Sequence, residues 1–187
     1  GKLTKPVIQL IPMSYEEGSD EDKSYLEIYE EFIVTNEDRN NKIKLIVDNV
    51  KDKKKKARIL ILTKDLAHAT LLEELLDNSY KLWGEDDITT RYKTINKFLS
   101  SSETSILIGT KILQTGINIE EITHLINARG LKSEIATLQA LGRALRKHPD
   151  KEQVYIYDFM DKVKYLRAHA NKRKEHYNKE GHEIKIL

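Results

Sequence analysis

The amino-acid sequence predicts an α/β protein with three layers, in which helices flank a central, mainly parallel β-sheet. From residue 58 onward, short apolar runs alternate with amphipathic segments of about a dozen residues. This alternation is typical of βαβ units, and fully apolar runs are typical of parallel strands that are buried on both faces. With 187 residues, 39% of them hydrophobic, the chain is long enough to bury a substantial core.

Each element after residue 58 follows from the period of its apolar residues. The strands are predicted at residues 58–63, 80–84, 104–110, 122–128 and 153–159. Amphipathic spacing predicts helices over residues 65–78, 87–100 and 133–148, and residues 111–118 are predicted as a loop or short helix. In a parallel sheet the ligand sites collect at the carboxyl ends of the strands, so the loops that follow these strands are the candidate sites.

The two flanks of this pattern are predicted separately. Residues 1–23 are expected to be a lead-in or interdomain linker, whose apolar part at residues 6–13 is predicted as an edge strand. Residues 24–50 have helical spacing, with a break and an N-cap near Thr35 and Asn36. Residues 161–187 are predicted as a basic helix and a short strand after Gly181, which leaves residues 24–160 as the main domain.

Composition excludes several classes of site. The chain has no cysteine and a net charge of only +2, so thiol chemistry is excluded and any basic site must be local. It contains no GxxxxGK[ST] phosphate loop, no tandem acidic pair that would hold magnesium, and no grouping of histidines typical of a metal site. His68 and His124 lie in apolar patterns and are expected to be packing residues. The basic run at residues 51–56 is interpreted as a solvated connection, with a phosphate-tracking patch as the alternative.

The segment "TLQALGRALRKH" (residues 137–148) carries the strongest functional signal. At helical spacing Gln139, Arg143 and Arg146 share one arc, whereas Leu138, Leu141 and Leu145 fall on another arc that can anchor the helix in a core. Gly142, set among the polar residues, leaves space for a partner to approach. The pattern predicts an anionic partner for the two guanidinium groups.

Four stretches, in this order, resemble the C-terminal RecA-like domain of superfamily 2 helicases. "RILILTKDLAHATLLEELL" (58–76) is similar to motif IV, and "LWGEDDITTRYKTINKF" (82–98) to the glycine-ended strand and the helix after it. "ILIGTKILQTGINIEEITHLINARG" (106–130) resembles motif V, and "QALGRALR" (139–146) matches the QxxGRxxR form of motif VI. The terminal segment is most similar to phage UvsW-type DNA helicases.

The resemblance implies roles in ATP hydrolysis for the predicted helix at residues 133–148, which carries Arg143 and Arg146 and is called the arginine helix below. Arg143 and Arg146 are expected to be arginine fingers, and Gln139 is expected to orient them or the attacking water. Gly116 and Asn118 are expected to contact the nucleotide, although Asn118 stands where many relatives have an aspartate. ATP and Mg²⁺ would be held mainly by an N-terminal RecA-like domain of the same protein, and no metal ligand is predicted in this chain.

The resemblance also implies contacts with the backbone of a nucleic-acid strand. These are expected from Thr63, Lys64, Gly84, Thr110, Thr115 and Gly116. Helix capping is the alternative for Thr63, and a simple turn is the alternative for Gly116. Arg91 and Phe98 are expected to be structural. The tail cluster of Lys162, Lys164, Arg167, Lys172, Arg173 and Lys174 is interpreted either as a solvated helical face or as additional phosphate contacts.

Together these features predict the second motor domain of an ATP-dependent DNA helicase that unwinds, anneals or branch-migrates DNA. The isolated chain is expected to hydrolyse no ATP, and Gly1 in place of methionine suggests a fragment of a longer protein. The expected location is the cytoplasm of a bacterial or phage-infected cell, without contact to a membrane. Two alternatives stay open, namely a non-catalytic nucleic-acid-binding module with this fold and half of an RNA helicase.

Overall fold

A seven-stranded sheet forms the centre of the computed structural model, which describes residues 6–110, 119–132, 138, 141 and 153–187. Its strands are β1 (Val7–Pro12), β2 (Arg58–Leu62), β3 (Ser79–Leu82), β4 (Ser105–Gly109), β5 (His124–Asn127), β6 (Tyr155–Met160) and β7 (Glu183–Ile186). Their spatial order is β3-β4-β2-β5-β6-β1-β7, and every pairing between them is parallel. The predicted class, a parallel α/β sheet flanked by helices, is confirmed.

The helices lie between these strands and on the flanks. They are α1 (Tyr25–Tyr29), a π-helical turn (Glu30–Val34), α2 (Glu37–Lys53), α3 (Leu66–Leu75), α4 (Ile88–Ser100), a 3-10 turn (Ile119–Glu121) and α5 (Leu166–Lys179). The predicted break in the first helical segment is confirmed, because Asn36 accepts a hydrogen bond from the Arg39 backbone N–H at 2.8 Å and starts α2. The predicted terminal helix and strand are confirmed by α5 and β7.

Alternate residues of each strand bury against opposite layers. On one face Leu60 and Leu107 pack with Phe98 of α4, which confirms the predicted core position of Phe98. On the other face Ile61 packs with Val47 of α2. Strands buried on both faces read as continuous apolar runs, so the core explains why no polar residue interrupts "ILIL" in β2.

The predicted position of the first strand was wrong. β1 was expected at an edge of the sheet, but it pairs with β6 on one side and β7 on the other. The physical reason is that β7 comes from the far end of the chain and covers the outer side of β1. The edge on this side is therefore β7, whose residues are mostly exposed.

A smaller apolar cluster covers the carboxyl end of the sheet beside β5 and β6. It joins Ile28, Tyr29 and Ile33 of the first helical segment to Val163 and Leu166 near the start of α5. This packing brings both flanks of the chain together over the loop after β5. In the part of the chain that is described, no helix has both the length and the apolar character needed to cross a bilayer.

Candidate functional site

Three of the predicted site residues follow neighbouring strands at the carboxyl edge of the sheet. The last residues of β2 and β3 both pair with Gly109, the last residue of β4. Thr63, Gly84 and Thr110 come one or two residues after these strand ends. The sheet therefore brings the three residues to the same edge, while their contacts with nucleic acid stay a prediction.

Thr63 is buried at this edge. Its backbone N–H donates to the Gly109 carbonyl at 3.1 Å, which extends the pairing of β2 and β4 by one bond. Its side chain has no exposed surface, and the hydroxyl has no hydrogen-bond partner among the described residues. The cap of α3 is Asp65, which accepts from the His68 N–H at 2.9 Å. A fully buried hydroxyl does not favour a direct contact of Thr63 with phosphate.

Lys64 provides an exposed positive charge at the same edge. Its ammonium lies 4.4 Å from the ring centroid of Tyr29 and 5.5 Å from that of Tyr25. Cation–π contacts of this kind hold the amine over the first helical segment while its charge stays accessible to water. Lys64 is exposed whereas Thr63 is buried, so of these two neighbours Lys64 is the better placed to meet an anion.

The turn after β3 is held by its own polar groups. The Trp83 N–H donates to Asp86 Oδ2 at 2.8 Å, and the Asp86 N–H donates to the Trp83 carbonyl at 3.1 Å. A guanidinium N–H of Arg91 donates to the Gly84 carbonyl. This bond confirms the predicted structural role of Arg91. Gly84 itself is half-buried.

Apart from Thr110, the predicted site residues of motifs V and VI lie outside the described residues. They are Thr115, Gly116, Asn118, Gln139, Arg143 and Arg146. Two leucines of the same helical pattern are described, and both are in the core: Leu138 is 3% exposed and Leu141 is fully buried. The predicted apolar arc of the arginine helix is therefore confirmed at these two positions.

Two buried arginines form a polar network that the sequence did not predict. Arg39 of α2 pairs with Asp161 at 2.5 Å, and Arg173 of α5 pairs with Asp158 of β6 at 2.9 Å. Tyr177 adds a hydrogen bond from its hydroxyl to Asp158 at 2.6 Å. A buried charge needs such a partner because desolvation would otherwise penalise it strongly.

The interpretation of Arg173 as part of the basic tail cluster was wrong. Arg173 is 1% exposed, so it belongs neither to a solvated face nor to a phosphate-binding surface. In the sequence, Arg173 looks like its lysine neighbours on the same predicted helix. Only the folded structure separates it from them, because β6 places Asp158 beside its guanidinium. No signal in the local sequence could have shown this.

The two histidines in apolar patterns are packing residues, as predicted. Nε2 of His68 is hydrogen-bonded to Asn40 Oδ1 at 2.9 Å, and the ring of His124 stacks on Tyr155 with 5.3 Å between centroids. Burial is the main cause that lowers the pKa of His68 to about 3 and that of His124 to about 4. Both rings are therefore neutral at pH 7.

The basic run at residues 51–56 lies near the amino ends of the strands, because it ends just before the first residue of β2. It is therefore on the opposite side of the sheet from the carboxyl edge. Lys51, Lys54 and Lys55 line an open cavity of about 530 Å³ together with the carboxylates of Asp77 and Glu103. Lysines 53 to 56 are exposed, as expected for a solvated connection. The mixed charge of the cavity does not single out an anion.

Comparison with known proteins assigns the chain to a protein family. Residues 41–148, more than half of the chain, match the family described as "Helicase conserved C-terminal domain". The ATP-dependent DNA helicase uvsW of Enterobacteria phage T4 is 29% identical over 135 residues, which cover 69% of this chain and 27% of that protein. The UvrABC system protein B of Prochlorococcus marinus is 26% identical over 155 residues, which cover 73% of this chain and 22% of that protein.

Solved structures show the same fold. The crystal structure of T4 UvsW superposes with a TM-score of 0.78 and 23% identity, over 96% of this chain and 40% of that chain. The E. coli DEAD-box protein SrmB, solved bound to the regulator RraA, gives a TM-score of 0.64 at 15% identity over 100% of this chain and 91% of that chain. These likenesses confirm the RecA-like fold, while the chain spans less than half the length of both sequence relatives and of UvsW. Because residues 41–148, more than half of the chain, match this family, the chain belongs to the helicase conserved C-terminal domain family, and the phage UvsW helicase is similar to it in both sequence and structure.

Proposed function

We propose that this chain is the second motor domain of an ATP-dependent superfamily 2 DNA helicase or translocase. The observation that carries the proposal is the QxxGRxxR pattern of residues 139–146 in a chain of this family, with Leu138 and Leu141 anchored in the core. If the helical spacing continues past Leu141, Arg143 and Arg146 face away from these leucines. They are then available to a nucleotide held by another domain.

The proposed chemistry is transition-state stabilisation during phosphoryl transfer. The substrate ATP, with its Mg²⁺, would be held mainly by an N-terminal RecA-like domain, and this domain would close over it. Arg143 and Arg146 would neutralise charge that develops on the transferred phosphoryl group, and Gln139 would orient them or the attacking water. Gly116 and Asn118 would contact the nucleotide from motif V.

The proposed grip on DNA uses contacts to the strand backbone. Lys64 supplies a charge at the carboxyl edge, and Gly84, Thr110, Thr115 and Gly116 would supply amides or hydroxyls to the same strand. Thr63 is the weakest member of this set because its side chain is buried. Contacts to phosphate and sugar position a strand without reading its bases, which suits a translocating enzyme.

DNA is favoured over RNA through the likeness to the phage DNA helicase. The same likeness leads us to place the complete protein in the cytoplasm of a bacterial or phage-infected cell. Half of an RNA helicase is the alternative of the same class, since the DEAD-box helicase domain 2 of Mss116p, which was solved bound to an RNA duplex, shares the fold. A non-catalytic binding module is the alternative of another class, but it gives no reason for keeping both arginines of the QxxGRxxR pattern.

ATP turnover and strand displacement by the complete protein test the proposal. We expect ATP hydrolysis that DNA stimulates, and displacement or re-pairing of strands on forks or four-way junctions, with RNA duplexes as the comparison substrate. This chain alone is expected to hydrolyse no ATP and to bind DNA weakly. Turnover by this chain alone, or a complete protein that acts only on RNA duplexes, would contradict the proposal.

A further inference from the structure

Three backbone carbonyls in the loop after β5 each accept a hydrogen bond from a different side chain. The Arg39 guanidinium donates to the Ala128 carbonyl at 3.3 Å, and the Tyr29 hydroxyl donates to the Arg129 carbonyl at 2.6 Å. Arg173 donates to the Leu131 carbonyl at 3.4 Å. We call residues 128–131 the held loop. The carbonyls of surface loops usually accept hydrogen bonds from water or from neighbouring backbone. Here three of the four carbonyls accept from side chains of other elements, and these bonds fix the path of the loop backbone.

The donors come from both flanks of the chain. Tyr29 lies on α1, Arg39 on α2 and Arg173 on α5, and all three lie outside residues 41–148, which match the family. The held loop itself lies inside that range, between β5 and the segment that carries Leu138, Leu141 and the arginines. The flanks therefore add contacts at a point just before the predicted arginine helix.

The donors are themselves fixed by buried partners. Arg39 is fully buried, pairs with Asp161 at 2.5 Å and stacks on the Phe159 ring at 4.4 Å. Arg173 pairs with Asp158 and donates a further hydrogen bond to the Phe159 carbonyl at 3.2 Å. Side chains that are locked in this way lose little additional entropy when they hold a carbonyl, so they act as rigid supports.

Gly130 lets the held loop approach these supports closely. Its φ of +65° lies in the left-handed region that favours glycine. A Cβ at this position would lie 2.8 Å from the Ile33 side chain and 3.5 Å from the Arg39 guanidinium. The loop is therefore fitted against the π-helical turn and α2 without space between them.

We propose that Tyr29, Arg39 and Arg173 are positioning residues that set the placement of the helix carrying Arg143 and Arg146 by holding the loop that leads into it. The chain that leads from β5 to Arg143 is held at residues 128–131 by three side-chain hydrogen bonds. The next described residues along it after residue 132, Leu138 and Leu141, are buried in the core. Arginine fingers act only when their guanidinium groups are held within a fraction of an ångström of the productive geometry. The inference rests on the proposed function of Arg143 and Arg146.

Amide hydrogen exchange of this chain tests the structural half of the inference. Tyr29→Phe removes the hydroxyl donor and keeps the ring in its apolar cluster. We expect exchange at residues 129–146 to accelerate about 2- to 10-fold, the effect of one hydrogen bond, while β2 and β4 keep their protection. Tyr15→Phe is the matched control, because the Tyr15 hydroxyl bonds Asp20 at 3.2 Å in an exposed segment. Unchanged exchange, or acceleration spread evenly over the chain, would overturn the inference.

Steady-state ATP hydrolysis by the complete protein tests the catalytic half. Tyr29→Phe is expected to lower kcat about 2- to 10-fold with the KM for ATP changed less than twofold, as for an interaction made in the transition state. In an Arg143→Ala background the same substitution is expected to have no further effect on kcat. Arg39→Lys, which keeps the charge beside Asp161, is expected to act in the same direction as Tyr29→Phe.

The two measurements separate failure of the inference from failure of the proposed function. If Arg143→Ala abolishes turnover while Tyr29→Phe changes neither exchange nor kcat, the positioning role is wrong and the proposed function stands. If Arg143→Ala leaves turnover intact, the proposed function fails, and the catalytic part of the inference fails with it.

Discussion

At the scale of single residues, two buried arginines hold the loop after β5 at the carboxyl edge of the sheet. Arg39 and Arg173 are no more than 1% exposed, and each is paired with a buried aspartate. Truncating one partner of such a pair costs more than the pair contributes, because the other charge is left buried alone. Their value therefore lies in fixing geometry, and the held loop is the part of the backbone that they fix.

Gly130→Ala is expected to be among the more destabilising single substitutions in this loop. The left-handed φ costs any L side chain about 1–2 kcal/mol, and the new methyl group would have to displace the Ile33 side chain. We expect the free energy of unfolding in urea to fall by about 2–4 kcal/mol. Gly18→Ala is the control, with a φ of +81° but no contact closer than 3.7 Å, and should cost only about 1–2 kcal/mol. Equal costs at the two glycines would show that the held loop is not closely packed.

His68 is expected to make stability depend on pH below neutrality. The folded protein holds the pKa of His68 at about 3, mainly through burial, whereas the unfolded chain titrates near the ordinary value of 6.5. Between these values the unfolded state binds the extra proton, so stability falls as the pH falls from about 6.5. The expected loss is about 1.4 kcal/mol per pH unit for this residue, and His124 acts in the same direction.

Urea unfolding at pH 7.5, 6.5 and 5.5 measures this slope. His68→Gln, which can keep a hydrogen bond to Asn40, should remove about 1 kcal/mol of the loss between pH 6.5 and pH 5.5. A His68→Gln protein with the original slope would show that the ring is not held neutral.

Sequence patterns predicted residue roles where the role depends on local spacing. The apolar setting of His68, His124 and Phe98 was enough to place all three in the core. Arg173 was misassigned, because a buried and an exposed arginine have the same helical spacing and differ only in what β6 places beside them. The held loop was missed for the same reason, since its three donors lie up to 100 residues from it in sequence.

At the scale of elements, β7 protects the sheet on its β1 side. It pairs with four residues of β1, from Val7 to Leu10, and covers backbone groups that would otherwise be open to another chain. Its own side chains are mostly exposed and include the ion pair of Lys185 with Glu183 at 3.7 Å. Charged residues on an edge strand discourage further pairing.

Removal of residues 183–186 is expected to expose β1 and cause self-association. Ile184 packs against the core, so its loss should lower the free energy of unfolding by about 1–3 kcal/mol. Analytical ultracentrifugation should show oligomers that increase with protein concentration, whereas the intact chain is the reference. Replacing Lys185 by arginine and Glu183 by aspartate, which keeps both the strand and its charges, is the control and should leave self-association low. A shortened chain that stays monomeric at high concentration would contradict this role of β7.

The elements from β2 to β6 were predictable because each is a local pattern. Short apolar runs and amphipathic segments alternate there, and right-handed βαβ connections then favour a parallel sheet. The place of β1 was not predictable in this way, because its outer partner comes about 175 residues later in the chain. A six-residue apolar run such as "VIQLIP" has the same pattern in an edge strand and in the next strand inward.

At the scale of the whole molecule, the chain corresponds to only part of the length of its relatives. It matches 27% of the phage uvsW helicase sequence and 40% of the solved UvsW chain. A domain of this family that supplies arginines to a shared site needs a second domain to supply the phosphate-binding loop. In the complete protein we expect α1, α2 and α5 to support the held loop, and the held loop to position the segment that carries Arg143 and Arg146.

The most direct measurement is the DNA-stimulated ATP turnover of the complete protein with Arg143→Ala. Loss of an arginine finger typically lowers kcat about 10³- to 10⁵-fold, and we expect a loss in this range with DNA affinity largely kept. Lys179→Ala is the control, since Lys179 is an exposed cation on α5 outside the basic tail cluster, and it should keep kcat within about twofold of the original. If Arg143→Ala retains kcat within about tenfold of the original, the claim that this domain completes an ATP site is contradicted.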